Sequence, residues 1–179
     1  SGIQYRIYTT DACRPRIGAD EKNATFIVPS LDVPFWETSQ GYKIGERMNK
    51  SMRDDLEQFS PDVIHVTVPD IVGRDTISWA RRRNIPLLAT WHSNFPDYMF
   101  HNLPHYLIAL FVSTCLRLYL INIYTQVDCT YVPTDFIRKK MIREGFEIEG
   151  TNKLGVWGRG VNTEDFSPGR SSINFRKRH

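Results

Sequence analysis

The chain has 179 residues, of which 41% are hydrophobic and 24% charged, and its 23 basic and 20 acidic residues give a net charge of +3. This length and apolar fraction are typical of one globular domain with a buried core, and they exclude an intrinsically disordered chain. The positive excess is small and lies in short clusters, so the composition does not indicate a nucleic-acid-binding protein.

The cysteines are few and far apart. Cys13, Cys115 and Cys129 are odd in number and show no CxxC or Cys/His spacing. They therefore predict neither a disulfide framework nor a zinc site, and they favour a reducing compartment. We expect the cytoplasm, or the cytoplasmic or stromal face of a membrane.

The first third of the chain predicts two strands and one helix. Alternating apolar and polar residues indicate a strand at residues 5–9, and a second short strand is predicted at Thr25–Val28, before Pro29. A helix is predicted over residues 45–59, because apolar side chains recur there every three or four residues among charges. These side chains are Met48, Met52, Leu56 and Phe59.

The middle of the chain predicts a strand at residues 63–68, a helix at residues 75–83 and a strand at Leu87–Thr90. Three arginines close the helix, where positive charge suits the helix dipole. We interpret them as a solvated face rather than a ligand site. They are Arg81, Arg82 and Arg83.

The second half predicts a long helix over residues 104–126, a strand at 129–133, a helix at 136–144 and a last strand at 153–157. Thr134 and Asp135 stand at the N-cap of the helix predicted at 136–144, which stops at Gly145.

The long helix contains the most apolar stretch of the chain, residues 107–121, which only Arg117 interrupts. We expect a helix that is buried on most sides. The alternative is a helix that contacts a membrane surface.

Strands that alternate with helices, several of them continuous apolar runs, predict a parallel sheet covered on both faces. The predicted fold class is thus α/β, a doubly wound Rossmann-like domain. In such sheets, ligands bind beyond the carboxyl ends of the strands, where backbone amides and helix N-termini converge.

Four predicted strands end in polar or glycine-rich loops, which makes these loops the candidate ligand edge. The candidate residues are Asp70, His92, Ser93, Asn94, Thr134, Asp135, Arg159 and Asn162. Several have two interpretations. His92 fits a ligand site or a packed, hydrogen-bonded histidine. Asp70 is a ligand group or a loop residue before Gly73, and Thr134 can cap a helix whose free amides also bind an anion.

Other residues have structural interpretations. His65 lies among valines inside a predicted strand, so a structural role is expected. Lys139, Lys140 and Arg143 predict a solvated helix face, with contact to an acidic membrane surface as the alternative. No GxGxxG motif, P-loop, nucleophile elbow or paired-carboxylate spacing is present, which disfavours dehydrogenases and NTPases.

Four segments taken in order carry a resemblance to a known family. They are FSPDVIHVTVPDIVG, IPLLATWHSNFPDY, VDCTYVPTDFIRKKM and GVWGRGVNTEDFSP. Together they resemble the N-terminal half of glycosyltransferase family 4, the retaining GT-B enzymes with two Rossmann-like domains. The sulfoquinovosyl- and mannosyltransferase-like members are the most similar.

The resemblance implies an acceptor-side domain at residues 1–168, without the family's first strand and glycine-rich loop, and the start of an interdomain linker at 169–179. It implies transfer of a sugar from a UDP- or GDP-linked donor to a lipid or glycan acceptor, with no metal or other cofactor. The donor-binding C-terminal domain is missing, so this chain alone should be inactive. Peripheral membrane contact is a further expectation.

The resemblance also assigns roles to residues. His92 would lie close to the transferred sugar and serve as the catalytic residue. The acceptor would contact Asp70, Gly73, Ser93, Asn94, Tyr98 and Thr134. Near the linker the matching residues are Arg159, Gly160 and Asn162. Asn162 stands where the family often has aspartate, so a role that needs a charge is not expected there, and Phe166 and Pro168 are expected to pack.

Two rival hypotheses remain open. The first is a non-catalytic module that docks on a membrane or a partner through the long apolar helix and the basic helix. The second is an unrelated nucleotide-binding α/β domain, which would bind nucleotide at the edge that carries His92.

Overall fold

The computed structural model describes residues 2–11, 24–32, 43–147, 153–158 and 160–164. Its elements in chain order are β1 (Ile7–Thr10), β2 (Thr25–Val28), β3 (Ser30–Asp32), β4 (Lys43–Gly45), α1 (Lys50–Phe59), β5 (Ile64–Val66), α2 (Ile71–Arg81), β6 (Leu87–Thr90), α3 (Phe95–Asn102), α4 (Tyr106–Tyr124), β7 (Cys129–Val132), α5 (Asp135–Arg143) and β8 (Leu154–Val156). The predicted linker at 169–179 lies outside the described residues, as do Cys13, Arg159, Phe166 and Pro168.

A parallel sheet in the order β5-β6-β7-β8 is the centre of the fold. Its register pairs Ile64 with Leu87, Leu88 with Cys129, and Thr130 with Leu154. β1 pairs with β2 in parallel, and β3 pairs with β4 in antiparallel orientation. A parallel sheet flanked by helices confirms the predicted α/β class.

One face of this four-stranded sheet is buried more completely than the other. Each strand of this sheet pairs with the next one in the chain, and the strands are joined by α2, by α3 with α4, and by α5. Because such crossovers are right-handed and all run in the same direction across the sheet, these helices lie on the same face of it. On the buried face the side chains are Val66, Leu87, Ala89, Val132 and Leu154, none more than 9% exposed. His65, Leu88, Cys129 and Tyr131 point to the other face and keep some exposure. Within the described residues, the expected cover on both faces is therefore incomplete.

Helix caps explain where the helices begin. Asn49 caps α1 by accepting from the Met52 N–H at 2.8 Å, so the helix starts later than the predicted residue 45. The preceding residues Lys43–Gly45 form β4, which the sequence did not predict. Thr134 caps α5 by accepting from the Ile137 N–H at 3.2 Å, as predicted. The helix is followed by Gly145, whose φ of +88° suits glycine.

Helix α2 begins four residues before its predicted start, because Asp70 caps it. The Asp70 carboxylate accepts from the Gly73 N–H at 2.9 Å. Gly73, taken from the sequence as a loop residue, instead lies in the first turn of the helix. A Cβ atom there would lie 2.4 Å from the Val68 carbonyl oxygen, so only glycine allows α2 to start this close to the end of β5.

The expectation that the long helix is buried on most sides is wrong. α4 spans 19 residues, or about 28 Å at 1.5 Å per residue, whereas the four residues of β6 span only about 13 Å. Half of the helix therefore extends beyond the sheet, and several large apolar side chains stay exposed. In the described ranges, α4 alone is long and apolar enough to cross a membrane.

We predict that Gly73→Ala lowers the free energy of unfolding by about 2 to 3 kcal/mol, because the added methyl group collides with backbone that cannot move aside. Gly158→Ala is the matched control, since no atom lies within 4 Å of its Cβ position. Chemical denaturation measures both. Equal midpoints for the two variants would contradict the packing argument.

Candidate active site

The chain beyond β6 is fixed by Trp91. Its indole ring is 5% exposed and packs against Tyr124 and Phe146, with each pair of ring centroids 5.2 Å apart. The Trp91 N–H donates to the Tyr131 carbonyl at 2.8 Å, which extends the pairing of β6 with β7 by one residue. Because Trp91 is held by both its ring and its backbone, the next residue, His92, is presented from a rigid position.

The three polar residues after Trp91 lead directly into α3. His92 is exposed, and Ser93 and Asn94 are half-buried. The Asn94 amide donates to the Asp97 carboxylate at 2.7 Å, and Asp97 also pairs with Lys140 of α5. Asn94 thus shapes the junction between β6 and α3, whereas the predicted acceptor contacts of Ser93 and Asn94 remain predictions.

His65 is close to His92, which the sequence interpretation did not foresee. The His65 Nε2 lies 2.6 Å from the Thr90 hydroxyl oxygen. Desolvation of the ring, and then repulsion by the charge of His92, lower the pKa of His65 below its ordinary value of 6.5. The His65 ring thus lies beside the end of β6, within electrostatic reach of His92. The orientation of His65 could have been predicted from the alternation of side chains along β5. Ile64 and Val66 face the core, so His65 must face the opposite way.

Trp157 adds an aromatic surface beside His65. Its backbone N–H donates to the Val132 carbonyl at 2.8 Å, which fixes the chain after β8. Its ring meets the Tyr131 ring edge-on at 5.6 Å and lies 6.5 Å from the His65 ring. The indole is exposed. A few polar groups beside an apolar ring are typical of small-molecule sites.

Asp70 makes structural contacts at the same edge. One carboxylate oxygen accepts from the Gly73 N–H, and the other accepts from the Gly45 N–H at 2.8 Å. Burial raises the pKa of Asp70 above its ordinary value, and the hydrogen bonds from the backbone oppose that shift. The carboxylate thus joins β4 to α2. A contact with substrate through Asp70 or Gly73 remains a prediction.

The other predicted residues lie in the loops and helices that follow the strands. Thr134 is exposed and caps α5, and Asp135 pairs with Lys139 at 2.7 Å. Tyr98 is 50% exposed on α3. Gly160 and Asn162 are exposed, and the Asn162 side chain accepts from the Glu164 N–H at 3.0 Å. Arg159 lies outside the described residues.

A separate cavity of about 780 Å³ lies between β1 and β5. Met52 and Leu56 of α1 and Val72 of α2 line it, and His65 and Asp70 contribute to its wall. His92 is not among its lining residues. Within the ranges that the structure describes, no cluster of three or more histidine, cysteine or acidic side chains could hold a metal ion.

A family model described as Glycosyltransferase Family 4 matches residues 1–165. The chain is 27% identical to the sulfoquinovosyl transferase SQD2 of Arabidopsis thaliana, covering 69% of this chain and 23% of that protein. It is 24% identical to a GDP-mannose-dependent alpha-mannosyltransferase of Corynebacterium glutamicum, covering 84% and 33%. A protein of the same name from Mycobacterium tuberculosis is also 24% identical, covering 69% and 30%.

The chain therefore spans 23% to 33% of the length of these curated relatives. No solved structure matches it.

The pair of histidines generates a pH prediction. The His65 pKa should lie below 6.5 and should rise in His92→Asn, which removes the neighbouring charge. NMR titration of the imidazole Cε1–H signals measures this shift. His101→Asn, an exposed histidine on α3, is the control and should leave the His65 pKa unchanged.

The same shift fixes the direction of a stability change. Because the folded pKa of His65 is lowered, the unfolded chain binds the proton more readily, so stability falls as the pH drops below 6.5 toward the folded pKa. An unchanged His65 pKa in the His92→Asn variant would show that the two rings do not interact.

Proposed function

The chain belongs to glycosyltransferase family 4, and on that premise we propose that it is the acceptor-side domain of a retaining GT-B enzyme. The enzyme moves a sugar from a nucleotide-sugar donor, UDP- or GDP-linked, to a lipid or glycan acceptor. The relatives' names, a sulfoquinovosyl transferase and GDP-mannose-dependent mannosyltransferases, support sugar transfer.

One structural observation carries the proposal. His92 is exposed immediately after the rigidly held Trp91, at the carboxyl edge of a parallel sheet. That edge is where α/β domains bind their ligands. His65 and Trp157 lie beside it, so the edge combines ring nitrogens that can hydrogen-bond sugar hydroxyls with an exposed apolar ring.

The proposed reaction retains the configuration at the anomeric carbon. An acceptor hydroxyl attacks from the face from which the nucleoside diphosphate leaves, so the new carbon–oxygen bond forms as the bond to phosphate breaks. A donor phosphate oxygen takes the hydroxyl proton, which balances the charge on the two products. His92 holds or stabilises the transferred sugar and is not the base. The nucleotide sugar is a co-substrate, and we propose no metal or other cofactor.

We also propose that this chain alone does not catalyse the transfer. The leaving diphosphate carries most of the developing negative charge, and electrostatic stabilisation of such charge is usually the largest catalytic term. In the proposed enzyme the cations that neutralise it belong to a second, donor-binding domain. The chain covers only 23% and 33% of two of its relatives, which supports the proposal that a second domain binds the donor.

A second candidate function is a non-catalytic module that docks on a membrane or a partner. The exposed apolar residues of α4 favour it, since a soluble domain rarely leaves so many large apolar side chains together in water. Membrane docking by itself is also compatible with catalysis, because an enzyme with a lipid acceptor needs a membrane surface. We accordingly propose that the protein acts at the cytoplasmic or stromal face of a membrane.

We predict that His92→Ala lowers kcat/KM for sugar transfer by about a hundredfold or more, because a preorganised group near the reacting sugar is lost. The assay uses the full-length natural protein with a detergent-solubilised acceptor, so that membrane binding does not limit the rate. His105→Ala serves as the matched control, since His105 is also exposed but precedes α4 and does not follow a strand.

Thermal melting of each variant separates a local effect from unfolding. Near-normal transfer by a folded His92→Ala protein would remove His92 from the mechanism.

A further inference from the structure

The helices α3 and α4 form a hairpin that extends beyond the carboxyl edge of the sheet. α3 begins after β6 ends, and α4 then returns toward the start of β7. The main hydrophobic core cluster includes Leu120, Ile123 and Tyr124 from the second half of α4, each no more than 5% exposed. Because α4 is about twice as long as a strand of the sheet, its first half lies beyond the edge that carries His92.

The first two turns of α4 expose large apolar side chains on several sides. We call these residues the hairpin tip. They are Tyr106, Leu107, Ile108, Leu110 and Phe111, which are 67%, 76%, 53%, 45% and 70% exposed. Ala109, by contrast, is only 1% exposed. Tyr98 on α3 is 50% exposed, and Phe100 of α3 contacts the Tyr106 ring at 5.8 Å. The tip is thus an ordered, aromatic and aliphatic surface.

The charges around the hairpin tip match a lipid surface. From Tyr98 to Val127 the sequence contains no aspartate or glutamate, and its titratable cations are Arg117, His101 and His105. No carboxylate of the hairpin in this stretch would therefore repel anionic headgroups or need to be desolvated on insertion. Tyrosines with an apolar body and a polar hydroxyl, such as Tyr98 and Tyr106, are typical of membrane interfaces.

The basic helix α5 contributes less than its sequence indicates. Lys139 pairs with Asp135 at 2.7 Å, and Lys140 pairs with Asp97 of α3. Their charges are thus partly neutralised within the protein. We therefore consider the apolar hairpin tip, rather than the basic face of α5, the main candidate for membrane contact.

We propose that the hairpin tip inserts into one leaflet of a bilayer and anchors the domain at the membrane surface. The six residues from Tyr106 to Phe111 span about 8 Å of helix, which fits the 5–10 Å depth of interfacial anchors. α4 does not span the membrane, because Leu120 and Ile123 belong to the protein core. The anchor holds the carboxyl edge of the sheet against the bilayer, where a lipid acceptor reaches His92.

Only the last step, the lipid acceptor, rests on the proposed sugar transfer. The membrane contact itself is independent of it. His92→Ala should leave vesicle binding unchanged, so loss of transfer and loss of docking are distinguishable. A full-length natural protein that binds vesicles yet transfers no sugar would overturn the proposed function and leave the anchor in place.

Flotation of the 179-residue chain with vesicles of phosphatidylcholine and phosphatidylglycerol tests the proposal. We expect binding by the unmodified protein and a loss of about tenfold in partition coefficient for Leu107→Ser and for Phe111→Ser, because each removes a large apolar side chain from the lipid. Both side chains are exposed in water, so the substitutions should leave the melting temperature unchanged.

Leu118→Ser is the matched control. Leu118 lies on the same helix and is 62% exposed. It follows Leu107 by 11 residues, which places it about 16 Å along the helix axis, away from the tip. Its substitution should leave vesicle binding unchanged. Lys139→Gln with Lys140→Gln should change binding less than twofold, because both charges are already paired.

Three results would overturn the proposal. An equal loss for Leu118→Ser and Leu107→Ser would show that the whole helix lies in or across the bilayer. Failure of the unmodified chain to float with the vesicles would show that lipid is not the partner. Self-association that Phe111→Ser abolishes, without vesicle binding, would show that the tip contacts a second copy of the chain.

Discussion

The parallel pairing of β5 to β8 is the constraint on which the arrangement of polar residues depends. Parallel strands end at a common edge, so the polar loops that follow them must gather there. Trp91 makes that edge rigid at its centre, because its backbone continues the ladder to β7 while its ring packs between Tyr124 and Phe146. His92 inherits a fixed position from Trp91, and the α3–α4 hairpin projects from the same place.

Much of this could be predicted from the sequence. The bounds of β2, β6 and β7 were predicted closely, and the cap at Thr134 was confirmed because threonine before a helical pattern has a local physical meaning. The family also followed from short motifs in a fixed order. These features depend on neighbours in the chain, which the sequence shows directly.

The missed features depend on contacts between distant parts of the chain. The pair β3–β4 is three residues long on each strand, too short for a periodicity to identify it. Gly73 was interpreted as a turn, whereas its close approach to Val68 is visible only in three dimensions. The structural role expected for His65 agrees with its hydrogen bond to Thr90, whereas its electrostatic interaction with His92 is visible only in three dimensions. The exposure of α4 was missed because apolar composition does not distinguish a core helix from an interfacial helix.

The domain thus presents two different surfaces at one edge of the sheet, a polar and aromatic surface around His92 and an apolar hairpin beside it. NMR titration of the isolated 179-residue chain with UDP and GDP tests the assignment of the polar surface to the acceptor most directly. Our account predicts no saturable shifts at His65, His92 or Trp157, because the nucleotide belongs to a second domain. Saturable nucleotide binding at these three residues would contradict it and favour an unrelated nucleotide-binding domain.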